Sequence, residues 1–149
     1  QRRQPHGAVV VAVHVRRGDL AVNNASKVPG HYYKRAVECM GAKFPNRNLT
    51  FILMGGGRDN RRRDVEDYQW VRRHVSKVPF EEIPLTHRPA LDMAIMANSD
   101  AVIMSSGSFG FWGTYLNYKT CIAPDCPLSE GYDQVNDDYY PPWCQRLHC

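Results

Sequence analysis

Apolar residues fall along this chain in short uninterrupted runs, and amphipathic stretches lie between them. Val9 to Val15 is apolar except for His14. A run without polar alternation fits a strand buried on both faces, as in a parallel sheet covered by helices. Leu49 to Met54, stopped by Gly55-Gly56-Gly57, and Ala101 to Met104 have the same character, and Phe80 to Leu85 and Thr120 to Ala123 predict two more strands. Between them Tyr33, Ala36, Val37, Met40 and Phe44 recur at helical spacing and predict a helix over 32–44. Val65, Tyr68, Val71 and Val75 predict a second over 64–78. A third opens at Pro89, a residue tolerated at the first helical position, with Leu91, Ala94, Ile95 and Asn98 on one face. Phe109 to Asn117 is the fourth. This alternation predicts an α/β fold, a doubly wound and mostly parallel sheet, over 1–124. Residues 125–149, rich in Pro and Cys, are expected to be a mostly irregular tail.

Such sheets place ligands at the carboxyl ends of their strands. The first strand ends in His14-Val15-Arg16-Arg17-Gly18-Asp19. Two guanidiniums, a Gly that permits close backbone approach and an Asp that can orient a donor make an anion site, best suited to a phosphate or diphosphate. Strand alternation sends Arg17 away from the side shared by His14 and Arg16, so Arg17 is expected to brace the fold. The same residues contain Arg17-Gly18-Asp19, an adhesion-type tripeptide that arises often by chance. Ser105-Ser-Gly-Ser108 forms a second strand-to-helix turn, whose helix N-terminus offers backbone N–H groups to phosphate. Asp92 sits in a first helical turn, where the helix dipole favours a carboxylate whatever else it does. Ser108-Phe109-Gly110 carries a Ser-x-Gly, but position 106 is Ser, so the nucleophile elbow of a hydrolase is incomplete. The glycines at 55–57 lack the Gly-Lys-Ser/Thr ending of a P-loop and read as a strand-end turn.

Composition narrows the field. The 149 residues carry a net charge of +4, a mild bias toward anionic ligands. The arginine-rich run from Arg58 to Asp64 has no interleaved aromatic residues, and nucleic acid is not an expected partner. No run reaches the ~18 apolar residues of a membrane span. The chain begins at Gln1 without an initiator Met, which suggests a piece of a longer protein; membrane attachment is expected only through a segment absent from this chain. Cys39 lies in a helical pattern and reads as a buried free thiol. Cys121, Cys126, Cys144 and Cys149 crowd the tail without zinc-like spacing and suggest two disulfides of undetermined pairing. Asn24 and Asn48 head two glycosylation sequons, in keeping with a lumenal location.

His14 to Asp19 resembles the first signature of the α1,2-fucosyltransferases. The run from Asp92 through Asn98, Asp100, Ser105, Gly107, Ser108, Phe109 and Gly110 to Trp112 resembles the second. The similarity extends from about Val9 to Pro124, with Leu20 standing where the family usually has Tyr. It implies the carboxyl-terminal, nucleotide-binding half of a GT-B-like glycosyltransferase that moves fucose, with inversion and without a metal, from GDP-fucose to the 2-hydroxyl of a galactose on a glycan acceptor. Under it GDP-fucose is the donor substrate and no cofactor is needed; no Asp-x-Asp for a metal–diphosphate clamp occurs in the chain. Arg16 matches the arginine that neutralises the leaving β-phosphate, and His14 its neighbour on the strand. Asp92 matches a carboxylate on the guanine edge, and Ser108 and Phe109 the turn that receives the phosphates. Asp19 orients Arg16 or the sugar and is a weak candidate for the general base. The implied setting is the Golgi lumen, in a type II membrane protein. The alternative is a donor-binding domain that has lost catalysis.

Overall fold

The computed structural model describes residues 7–17, 28–55, 61–75, 78, 80–82, 89–126 and 140–148, without the side chains of 61–65 and 82. Asp19, Asn24 and Cys149 lie outside them. In chain order the elements are β1 (Val9–Val15), α1 (Gly30–Lys43), β2 (Leu49–Gly55), α2 (Arg61–His74), β3 (Phe80–Glu82), α3 (Pro89–Asn98), β4 (Ala101–Ile103), α4 (Ser108–Asn117), β5 (Thr120–Asp125) and β6 (Gln145–His148).

The strands form a sheet ordered β3-β2-β1-β4-β5-β6, and every pairing is parallel. This is the doubly wound order whose direction of growth reverses between β1 and β4. β1 is central and covered on both sides, which is why its sequence shows no alternation. Val9, Val11, Val13 and Val15 pack under α1 and α2 with Tyr32, Tyr33, Ala36, Met40, Tyr68, Val71 and Val75. Ala12 faces the other way, into a second core with Met54, Met96, Val102 and Met104 beneath α3 and α4. The pairing of β1 with β4 ends at Val13 opposite Ile103, so His14 and Val15 run on beside the 104–107 turn.

Two side-chain devices hold the helices at useful depths. Met96 fills the space at Gly113, where a Cβ would come within 2.8 Å of its Sδ, so α3 and α4 pack closely. Asn117 Nδ2 donates to the carbonyls of Met96 (3.0 Å) and Ser99 (2.7 Å), capping the end of α3 from the end of α4. Most of the apolar face expected for α3 turns outward: Leu91 is 43% exposed and Ala94 and Asn98 are exposed, while Ile95 packs half-buried against the second core and Met96 is fully buried. Ala, Met, Ile and Leu occur nearly all round this helix, so spacing alone names no inner face.

One segment of the tail, expected to be mostly irregular, is a strand. Gln145–His148 pairs with β5, Ile122 opposite Gln145 through Asp125 opposite His148. A disulfide joins Cys121 of β5 to Cys144, immediately before β6, and Arg35 Nη1 on α1 donates to the His148 carbonyl at 2.6 Å. Cys126 is also disulfide-bonded. Cys39 is free, as its sequence setting suggests, but only partly buried. Among the described residues no helix is long and apolar enough to cross a membrane.

Candidate functional site

At the carboxyl end of β1 the chain delivers three side chains in two directions. Arg17 goes to the α2 face, as strand alternation predicts. Its guanidinium lies 3.8 Å from the centroid of the Trp70 ring, and Nη1 is 3.8 Å from Asp67 Oδ1. A cation on an indole face beside a carboxylate is a structural anchor between β1 and α2. With Arg17 held there, Arg16 turns to the opposite face. Its aliphatic stem passes Gly107, where a Cβ would lie 3.9 Å from Arg16 Cγ.

Gly107 stands just before α4 with φ +104°, a conformation that L side chains rarely adopt. Its carbonyl accepts the N–H of Phe111 (3.1 Å) and starts the helix. The N–H groups of Ser108, Phe109 and Gly110 therefore have no acceptor within the helix, and they carry the positive end of its dipole. Ser108 is exposed, and the Phe109 ring lies 5.9 Å from the His14 ring. The arginine and the helix N-terminus together make an edge whose chemistry suits an anion, at the point where the sheet reverses its order.

His14 is the buried centre of this edge. It is fully buried, and its Nδ1 lies 2.9 Å from the Ser105 hydroxyl. A Cβ at Gly110 would come 2.5 Å from Nδ1, so only glycine lets the first turn of α4 rest on the imidazole. Burial, with the nearby Arg16 charge, lowers the His14 pKa to about 4, so the ring is neutral at physiological pH. Its Nε2 is buried and has no hydrogen-bond partner among the described residues.

The structure thus brings His14, Arg16, Ser108 and Phe109 together. Asp92 sits half-buried in the first turn of α3, whose N-terminus lies at the same edge of the sheet as that of α4. Asn48 is exposed in the turn before β2, and its carbonyl accepts the Val9 N–H (2.8 Å) at the opposite edge of the sheet. A glycan on Asn48 would leave the site open. Asp19 and Asn24 are outside the described residues. Sequence reasoning gave Ser105 and Gly110 no role of their own, although both stand in the stretch that resembles the second signature. Among the described residues no group of three His, Cys, Asp or Glu side chains gathers as a metal site.

The all-parallel sheet with helices on both faces, opening at the β1/β4 switch point, has the Rossmann-like architecture of one half of a GT-B-type glycosyltransferase. Two solved structures share it: the α-1,6-fucosyltransferase NodZ of Bradyrhizobium, soaked with GDP-fucose (TM-score 0.54, 17% identity, 81% of this chain and 40% of that one), and the E. coli heptosyltransferase WaaC with ADP (TM-score 0.55, 10% identity, 100% of this chain and 44% of that one). Residues 5–145 match the sequence profile of glycosyl transferase family 11, and the chain belongs to that family. Rabbit (Oryctolagus cuniculus) galactoside alpha-(1,2)-fucosyltransferase 2 is 27% identical over 133 residues. That match covers 79% of this chain and 34% of the rabbit protein, so the chain spans about a third of its relative's length.

Proposed function

We propose that this chain is the donor-binding half of an inverting, metal-independent galactoside α1,2-fucosyltransferase that uses GDP-fucose. The observation that carries the reading is the convergence of Arg16, neutral His14 and the α4 N-terminus at the switch point of a family 11 fold. The acceptor's 2-hydroxyl oxygen bonds to the fucose anomeric carbon as the bond from that carbon to the β-phosphate oxygen breaks, and GDP departs with the bonding pair. Arg16 and the Ser108–Gly110 N–H groups receive the charge that develops on the phosphate. Asp92 accepts hydrogen bonds from the guanine edge, Ser108 and Phe109 shape the phosphate turn, and Asp19 orients Arg16 or takes the acceptor's proton. The galactose-terminated acceptor is read mainly by parts of the protein beyond this chain. A secretory, Golgi-lumen setting agrees with the Cys121–Cys144 disulfide and the exposed Asn48 sequon.

Calorimetry with the full-length protein tests this: GDP and GDP-fucose should bind and UDP should bind far more weakly, because uracil lacks guanine's paired N1 and N2 donors. Equal affinity for GDP and UDP refutes the guanine assignment. Tight GDP binding without transfer to any galactoside acceptor would favour a donor-binding domain that has lost catalysis.

A further inference from the structure

Which nitrogen of His14 carries the proton decides whether the imidazole can face an anion. Nδ1 has a partner, the Ser105 hydroxyl at 2.9 Å. Two other groups lie near that hydroxyl. One is the Ser106 carbonyl at 3.5 Å, beyond the ordinary range for an O–H donor. The other is the Tyr33 phenol, a buried O–H with no other acceptor among the described residues, which gives its proton to the Ser105 oxygen. The hydroxyl proton therefore goes to Nδ1, and a neutral ring that accepts there keeps its own proton on Nε2. That N–H is buried and unanswered by any described protein group. A buried donor with no acceptor costs about 1–3 kcal/mol, and an anion at the adjacent helix N-terminus is an acceptor that removes the cost. Gly110 and Phe109 fix the ring from the helix side.

We propose that Ser105 is a positioning residue of the donor site: by donating to His14 Nδ1 it holds the imidazole as the Nε2–H tautomer, so that Nε2 and the α4 N-terminus offer donors to one diphosphate. The proposal rests on the GDP-fucose reading above. Ser105 touches no substrate itself. With the opposite tautomer the Nε2 lone pair would face the phosphate and repel it.

The test is carried out on the full-length protein with histidine labelled by ¹⁵N. Ring-nitrogen shifts should show Nδ1 unprotonated and Nε2 protonated in the ligand-free wild type. Ser105→Ala should mix the tautomers and weaken GDP binding on the order of tenfold, the scale of one hydrogen bond. Ser105→Thr, which keeps the hydroxyl, should restore both. Replacing the ring separates the nitrogens again: His14→Gln keeps an N–H near the Nε2 position and should bind GDP better than His14→Asn, which does not. A wild type with its proton on Nδ1 overturns the proposal before any variant is made. So does a Ser105→Ala protein that keeps the Nε2–H tautomer and normal GDP affinity. A wild type that binds no guanine nucleotide refutes the donor reading itself, and Ser105's role falls with it.

Discussion

Gly110→Ala is the most informative single change. In an unobstructed helix interior, Gly to Ala is worth about 1 kcal/mol in favour of folding. Position 110 is in the first turn of α4, and an added Cβ would sit 2.5 Å from His14 Nδ1, 2.9 Å from Cε1 and 3.4 Å from Cγ. These are ring atoms of a fully buried side chain that Ser105 already holds, so they cannot swing aside. Either the helix N-terminus lifts or the imidazole rotates and gives up its bond to Ser105. Overpacking of this kind costs about 1–3 kcal/mol, which offsets the intrinsic gain and leaves Gly110→Ala destabilised, with Tm lower by a few degrees. GDP affinity should fall along with it, because both ways of relieving the clash disturb the phosphate-facing groups. Gly41→Ala is the matched control: it lies in α1, is exposed and would bring its Cβ within 4 Å of nothing. That variant should be as stable as the wild type or slightly more so, with unchanged GDP binding. Thermal melts and calorimetry on both variants settle the point. If Gly110→Ala matches Gly41→Ala in Tm and in GDP affinity, the close contact between α4 and His14 is wrong.

Three further outcomes are expected. Arg16→Ala should lower kcat by ~10²-fold or more, the scale for loss of one preorganised electrostatic group, and Arg16→Lys should recover little because an ammonium lacks the two-point fork; a destabilised Arg16→Ala protein with near-normal kcat would make Arg16 a structural residue. Arg17→Ala, which loses the Trp70 and Asp67 contacts, should act chiefly on Tm, and a selective loss of kcat would contradict that. Acid should weaken the fold through His14, whose pKa is lowered to about 4 from the ordinary 6.5: between those values the unfolded chain binds more protons, so stability falls as pH drops through this window, by up to about 3 kcal/mol at its lower end. Denaturant titrations from pH 7 to pH 4 should give His14→Gln a shallower fall than the wild type, and identical pH slopes would refute the assignment.

The parts of this molecule that were legible in its sequence share a physical reason. Val9 to Val15 announces a central strand because both of its faces are covered, and the period of two then fixes which arginine turns which way. That is why Arg17 lands on Trp70 and Arg16 beside Gly107. β6 was illegible on the same grounds. Three of its four residues are polar, it lies at the edge of the sheet, and it is held by a disulfide and a distant arginine. Pattern reading sees burial, and an edge strand fastened by covalent and polar links has little of it to show.

The same divide runs through the site. The strand-end half, His14 and Arg16, was visible because anion chemistry needs donors packed close together at one strand end. The half that decides their protonation and direction was not. Ser105 lies 91 residues from His14, and a serine in a run of small residues looks the same whether its hydroxyl meets water or an imidazole. Gly110 carries its information in a missing methyl group, which matters only where another chain segment fills the space. Both become readable once the sheet sets the end of β1 beside the turn that follows β4. The crossover at the switch point is thus more than a place for a ligand. It joins a strand-end histidine to a remote hydroxyl that chooses its tautomer and to a helix start that its ring supports. A chain could keep the His-x-Arg-Arg motif intact and still lose donor binding through a change at 105 or 110.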